Sequence, residues 1–278
     1  MPEAVVDELI EMRGLRFHYR DWPARRAGAK DLVLLHGFTG HARSWDAFAE
    51  AMTDRYRVLA LDQRGHGETG WAAADRYGTD EMAEDLIAFV GTLGLNDFTL
   101  LGLSMGGMVA MNYAGRRPKE LGALVIVDIG PEIVAAGASR IQTGVRASDV
   151  FASRDEAFAR ARAANPRPPE AHHRHRVDLS LMRTADGRWT YRYDRALRQP
   201  NTVRVRDPEA QWRACANINV PTLLIRGAFS DILSPEVAQR MLETIPGAQF
   251  ALVENSGHSV PLDAPDAFLS AARGFLTG

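Results

Sequence analysis

A short apolar run, Phe98 to Leu103, overlaps Gly102-Leu103-Ser104-Met105-Gly106 and passes at once into a helical stretch. This junction constrains the fold more than any other part of the chain. The run reads as a strand buried on both faces, and a serine with glycine two positions to either side fits G-x-S-x-G. A strand that reverses sharply into a helix leaves no room for side chains on either side of the serine, so hydrogen is all that fits at 102 and 106. The turn lifts Ser104 Oγ above the sheet, and the first turn of the helix aims backbone N–H groups at any nearby oxyanion. The motif is short and also suits a Gly-rich turn around an inert serine, so the surrounding chain has to decide between them.

The surroundings alternate. Residues 8–20 change polarity around Gly14 and read as a β-hairpin, and Asp31 to His36 is a continuous apolar run suited to a parallel strand. Ser44 is expected to cap a helix through Met52, Tyr56 to Leu61 is the next strand, and Asp62 to Gly70 is a polar loop with three glycines. Thr79 or Asp80 opens a helix with Met82, Leu86, Phe89, Val90 and Leu93 on one face, ending near Gly94 before the serine strand. Beyond it come a helix to Arg116 and a strand from Leu121 to Val127 that closes on Asp128-Ile129-Gly130-Pro131. The alternation resumes at Val220 to Arg226, with a helix from Pro235, a last strand from Gln249 to Val253 and a closing helix from Pro265 to Leu276. Strand and helix in turn imply an α/β fold, a mostly parallel central sheet with helices on both faces. Residues 132–214 break the pattern, being Arg-rich with a Pro-rich interruption at 165–169. They are expected to form a helical cap inserted at a strand's carboxyl end, where such sheets bind ligands. The core is then residues 1–131 and 215–278.

Composition excludes more than it selects. A net charge of −2 on 278 residues offers no general attraction to nucleic acid or to anionic membranes. One cysteine, Cys215, allows no intrachain disulfide, no run reaches membrane-spanning length, and Glu3, Asp7 and Glu8 do not suit a signal peptide. A cytoplasmic monomer or homodimer acting on a small molecule is the expectation.

A serine hydroxyl is a weak nucleophile at neutral pH and needs a base, which itself needs a group to orient it. Among eight histidines, His258 lies between Gly257 and Ser259 in a loop after the last strand. His36 and His66 read as braces of their Gly-rich loops, and His172, His173 and His175 as a solvated helix surface without a metal-binding pattern. Two aspartates compete to orient the base: Asp128, ending the strand after the serine helix, and Asp231, following the next sheet strand.

Taken together, these stretches resemble the α/β-hydrolase fold of serine hydrolases from residue 8 to 277. His36-Gly37-Phe38, Asp62-Gln63-Arg64-Gly65-His66-Gly67, Gly102-Leu103-Ser104-Met105-Gly106-Gly107 and Gly257-His258 stand in family order. The resemblance implies Ser104 as nucleophile, His258 as base, and the N–H groups of Phe38 and Met105 as an oxyanion hole. Serine at 104 argues against the dehalogenases and epoxide hydrolases of this fold, which use a carboxylate there. Many members carry the acid as G-x-x-D, yet Gly227 plus three is Ser230, and Asp231 comes one residue late. Some bacterial esterases, and enzymes of the (E)-2-(acetamidomethylene)succinate hydrolase type, use an aspartate where Asp128 stands, and Val127-Asp128-Ile129-Gly130-Pro131 looks similar. The reading leans to Asp128.

The expected activity is cofactor-free hydrolysis of an ester, lactone or amide of a small acyl compound. C–C bond hydrolysis or lyase chemistry with the same triad, and ligand binding without catalysis, are the alternatives. Phe38, Phe151, Leu181 and Trp189 are expected to line the substrate pocket, and no metal is expected.

Overall fold

The computed structural model describes residues 4–146, 148–199 and 207–277. Residues 147 and 200–206 of the expected cap, and 1–3 and 278 of the expected core, lie outside the described residues. Strands β1 (Val6–Met12) and β2 (Leu15–Trp22) form an antiparallel hairpin. Its turn residues Arg13 and Gly14 have φ of 47° and 76°, the left-handed pair that matches strand twist across a two-residue turn. There follow β3 (Lys30–Leu35), α1 (Asp46–Met52), β4 (Tyr56–Leu61), α2 (Thr79–Leu93), β5 (Phe98–Leu103), α3 (Met105–Ala114) and β6 (Leu121–Val127). Between β6 and the return to the sheet lie α4 (Ala135–Arg146), β7 (Val150–Phe151), α5 (Arg154–Ala164), α6 (Glu170–Leu179), β8 (Leu181–Arg183) and β9 (Trp189–Tyr191). The chain ends with α7 (Pro208–Asn217), β10 (Thr222–Gly227), α8 (Pro235–Thr244), β11 (Gln249–Val253), α9 (Val260–Asp263) and α10 (Pro265–Leu276).

Among the described residues the main sheet has eight strands, ordered β1-β2-β4-β3-β5-β6-β10-β11, parallel from β4 onward and antiparallel around β2. Alternate residues of each strand feed opposite layers, as the two-residue period of a strand requires. Val33, Leu35, Leu100, Leu124 and Leu224 pack with α2, α3, α7 and α8 on one face. Leu32, Leu34, Leu101, Val125 and Leu223 pack with Trp45, Phe48, Phe268 and Ala272 on the other. Each such leucine taken out of water contributes about 1.5–3 kcal/mol, which is why these strands are apolar throughout.

Register fixes where the strand ends fall. Leu103 pairs with Val127, and Val127 with Ile225. The ladder then runs one step further, from Ser104 N–H to Val127 O (3.0 Å) and from Asp128 N–H to Ile225 O (2.8 Å). Residues 104 and 128 therefore leave the sheet at the same edge on adjacent strands.

The structure differs from the sequence expectations in three places. Ser44 does not cap α1: it lies inside a 3-10 turn, Ala42–Trp45, and Trp45 takes the cap position. The inserted segment is not helical throughout, because β7, β9 and β8 make a small antiparallel sheet whose strands of two or three residues are too short to leave a period in the sequence. Helix α7 packs in the layer of α3 and α8, with Cys215 buried against Met111, so the core layer begins before residue 215. No helix among the described residues is long and apolar enough to cross a membrane.

Candidate active site

The strand-to-helix turn is as tight as its glycines suggested. A Cβ on Gly102 would stand 2.3 Å from Gly106 O, and one on Gly106 would stand 2.5 Å from Leu35 O, so backbone passes where a side chain would be. Ser104 has φ 52° and ψ −115°, a conformation that costs of the order of 1–3 kcal/mol in an L residue and is retained only where packing enforces it. The result is a hydroxyl standing clear of the sheet edge at the start of α3.

His258, in the loop between β11 and α9, meets that hydroxyl. Its Nδ1 lies 2.8 Å from Asp128 Oδ2 and its Nε2 2.9 Å from Ser104 Oγ. An ionised carboxylate only accepts, so Nδ1 carries the ring proton and Nε2 is left to accept from Ser104 Oγ–H. Asp128 is fully buried, yet its charge is met by three donors. Gly227 N–H donates to Oδ1 (2.9 Å), and Ser230 Oγ–H joins His258 at Oδ2 (2.5 Å). Ser230 is in turn fixed by the N–H groups of Ile232 (3.2 Å) and Leu233 (3.1 Å). Asp231 points elsewhere. Its carboxylate pairs with the guanidinium of Arg140 on α4 (2.6 and 2.8 Å), and that hydrogen bond holds its pKa below the ordinary carboxylate value.

The two residues expected to supply an oxyanion hole, Met105 and Phe38, both lie beside the serine. Met105 opens α3, so no carbonyl one turn earlier can take its N–H. Phe38 lies in the loop after β3, where a Cβ on neighbouring Gly37 would come 3.3 Å from Ser104 Cβ. His36 shapes that loop. Its Nε2 accepts Gln63 N–H (3.0 Å), its Nδ1 faces Gly37 O (2.8 Å), and Gln63 Nε2 donates to His36 O (2.7 Å). Burial pushes the ring's pKa down to about 4, so it stays neutral and acts as a strut. Below it, buried Asp62 accepts from Ala42 N–H (2.5 Å) and Glu68 N–H (2.9 Å) and pairs with His18 (2.7 Å). Burial alone would raise the Asp62 pKa, but the His18 hydrogen bond and the nearby imidazoles bring it down to about 2.

Above Ser104 is a cavity of about 930 Å³ walled by the Phe38 loop, by α4, α5 and α6, and by the His258 loop. Phe38 lines it, with Tyr191 and Tyr193 opposite. Phe151, Leu181 and Trp189 do not. Phe151 and Leu181 are buried with Phe158 and Val177 in a separate small core of the inserted segment. Trp189 lies between the guanidinium groups of Arg154 (4.4 Å) and Arg183 (4.9 Å). The largest apolar side chains of the inserted segment thus fill its own small core, while Ile141, Val177, Tyr191 and Tyr193 reach the cavity.

With that geometry in hand, comparison with known proteins is decisive at the level of family: residues 32–271 match the Alpha/beta hydrolase family. The chain belongs to this family. It is 28% identical to a 3-hydroxybutyrate-oligomer hydrolase of Cupriavidus necator, over 98% of this chain and 96% of that protein. It is also 28% identical to an N-formylmaleamate deformylase of Pseudomonas putida, over 96% and 95%. Its fold is similar to that of E-2-(acetamidomethylene)succinate hydrolase, with a TM-score of 0.89 at 20% identity, over 99% of this chain and 100% of that one. The family match and these relatives make it a hydrolase.

Three further features of this α/β hydrolase were not foreseen. Ser230 stands where the common pattern has its acid, and the sign of it was the very departure from G-x-x-D. His173 is not solvated: it turns inward from α6 against the Phe158 ring (5.7 Å between ring centroids), while His172 and His175 are exposed. No cluster among the described residues suits a metal ion. His66 is fully buried, its Nδ1 2.9 Å from Arg64 O, and the loop around it is tied to the inserted segment by Gly67 N–H to Arg192 O (2.9 Å) and Asp194 N–H to Gly65 O (2.7 Å).

Proposed function

We propose that this protein is a cofactor-independent serine hydrolase that cleaves an ester, lactone or amide of a small molecule through a Ser104-His258-Asp128 triad. The observation that carries the reading is the continuous relay from a strained serine at the cavity floor through a histidine to a buried carboxylate, at 2.9 and 2.8 Å. Ser104 Oγ attacks the acyl carbonyl as Nε2 of His258 takes its proton. The developing oxyanion accepts from the Phe38 and Met105 N–H groups, a type of stabilisation worth about 3–4 kcal/mol per donor. Collapse expels the alcohol or amine, which leaves with the proton returned by His258, and an acyl-Ser104 ester remains. Water, deprotonated by the same imidazole, adds to that ester and releases the acid and free Ser104. Asp128 stays ionised throughout and fixes the tautomer.

Residues 132–214 act in this reading as a cap over Ser104, its cavity wall setting what may enter. The relatives named for oligomer hydrolysis and for deformylation support cleavage at an acyl carbonyl. The test is labelling by a fluorophosphonate together with burst release from p-nitrophenyl acetate. Both should occur in the wild type and vanish in Ser104→Ala, with turnover falling on the order of a thousandfold or more and an unchanged circular dichroism spectrum. Undiminished turnover in Ser104→Ala would end the proposal.

A further inference from the structure

The cavity over Ser104 is cationic. Among the described residues Arg140, Arg160, Arg176 and Arg198 line it against one carboxylate, Asp149. Three of these arginines are engaged. Arg140 is held by Asp231 (2.6 Å), Arg198 pairs with Asp149, and Arg160 lies over the Phe151 ring (4.7 Å) and donates to Ser148 O. Arg176 differs. Its guanidinium has no carboxylate within ion-pair distance and no side-chain hydrogen bond among the described residues.

Arg176 is itself partly buried in the cavity wall. Burial pushes its pKa down, and the acidic groups whose charge it feels, Tyr191 and Asp263, do not cancel that effect. Asp263 is committed elsewhere, to Asn165 Nδ2 (2.7 Å) and Gly257 N–H (2.8 Å). The imidazoles nearby, His41 and His173, have their pKa values lowered by burial and by Arg176 itself, which favours their neutral forms, so Arg176 is the cation there. The turn of α6 that carries Arg176 is pinned to the oxyanion loop. Ser180 Oγ–H donates to Arg176 O (2.7 Å) and accepts from His41 Nε2 (2.9 Å), which follows directly on Gly40. A guanidinium partly withdrawn from water and without a partner is costly, and the backbone that carries this one is fixed on the cavity wall.

We propose that Arg176 receives a carboxylate of the substrate, so that the enzyme acts on acyl compounds bearing a free carboxylate beyond the scissile carbonyl. The planar guanidinium matches a carboxylate with two parallel N–H···O bonds, a geometry that an ammonium cannot supply. The inference rests on the serine-hydrolase reading for its chemistry, while the anion site itself is a property of the cavity.

The test compares kcat/KM for the mono-p-nitrophenyl ester of glutaric acid with that for p-nitrophenyl valerate, which has the same chain length and no charge. The wild type should prefer the glutarate ester, and Arg176→Met should reduce that ratio by about ten- to a hundredfold. Arg176→Lys, keeping the charge but not the fork, should give an intermediate ratio. Because each ratio is taken within one variant, a general loss of active protein cancels. A ratio equal to the wild type's in both variants overturns the proposal. Free glutarate should also raise the melting temperature of Ser104→Ala, and the added Arg176→Met change should abolish that rise. If neither ester is hydrolysed and Ser104 resists fluorophosphonate, the hydrolase reading fails, and the glutarate shift then decides the site alone. A shift that depends on Arg176 upholds it; the absence of one overturns it.

Discussion

Asp128→Asn separates the proposed mechanism from its nearest rival. The wild-type carboxylate accepts three hydrogen bonds, one from Gly227 N–H at Oδ1 and two, from His258 and Ser230, at Oδ2. An asparagine offers one acceptor and one donor to three groups that all donate. If its oxygen faces His258, its NH2 meets Gly227 N–H, and the buried clash costs about 1–3 kcal/mol. If the amide flips, its NH2 faces His258 Nδ1, which must then accept. The ring proton moves to Nε2 and points at Ser104, and the base can no longer take the serine proton. Either arrangement is penalised, and the second abolishes general-base catalysis. The expected loss in kcat is about three to four orders of magnitude, measured with p-nitrophenyl acetate, while thermal stability falls by only the one mismatched bond. Asp231→Asn, by contrast, breaks an exposed pair worth about 1 kcal/mol or less and should leave kcat within severalfold. Near-wild-type turnover in Asp128→Asn with collapse in Asp231→Asn would refute the assignment, though not the role of Ser104.

Ser230→Ala removes one donor from the buried carboxylate and should lower kcat about tenfold, with a loss of stability of about 1.5–3 kcal/mol by denaturant titration; wild-type values for both would refute its supporting role. Asn165→Ala unties Asp263, whose other oxygen holds Gly257 N–H beside His258 (2.8 Å), and should raise KM and lower kcat together in steady-state assays; unchanged kinetics would refute the coupling. Acid should destabilise the fold early. His36 and His41 are lowered from 6.5 to about 4 and His66 to about 3 by burial, so between those values and 6.5 the unfolded chain binds more protons. Their contribution is complete above pH 6.5 and is lost as pH falls from there towards 4. His18, whose pKa is raised by Asp62, works in the opposite sense but is outnumbered. Melting temperature should fall steadily from pH 6.5 to 4, and a flat profile would refute the neutral buried imidazoles.

The parallel sheet was legible because its strands are buried on both faces: Leu32 to Leu35 and Leu124 to Val127 have no solvent side to encode with polar residues. The serine turn was legible because backbone contact at Gly102 and Gly106 tolerates no substitute. The wall of the cavity was not. The size and hydrophobicity that make Phe151 and Leu181 pocket candidates are also the properties that send a residue into a local core. Arg176 was hidden for the converse reason. In His172-His173-Arg174-His175-Arg176 every residue is polar, so the sequence carries no period from which an inner face could be read. Packing on α5 turns His173 inward against Phe158, and Arg176 reaches the cavity wall, while His172 and His175 are left exposed.

The position of the acid also explains how the cavity wall is attached. With the carboxylate at the end of β6, Asp128 is held from β10 by Ile225 O through its own N–H and by Gly227 N–H at its side chain. In the loop after β10, two adjacent polar residues divide the work. Ser230 turns inward to Asp128, while Asp231, one residue on, turns outward to Arg140 on α4. The backbone follows the same route, with Val134 N–H donating to Ile232 O (3.0 Å) just before α4 begins. Helix α4 supplies Ala136, Ser139, Arg140 and Ile141 to the cavity. The loop that steadies the acid thus also steadies the helix that borders the substrate, and a displacement of either is felt at the other through adjacent residues, 230 and 231. The aspartate that arrives one residue late for the common acid position is therefore well placed for a different task, tethering the wall of the cavity to the loop that holds Asp128.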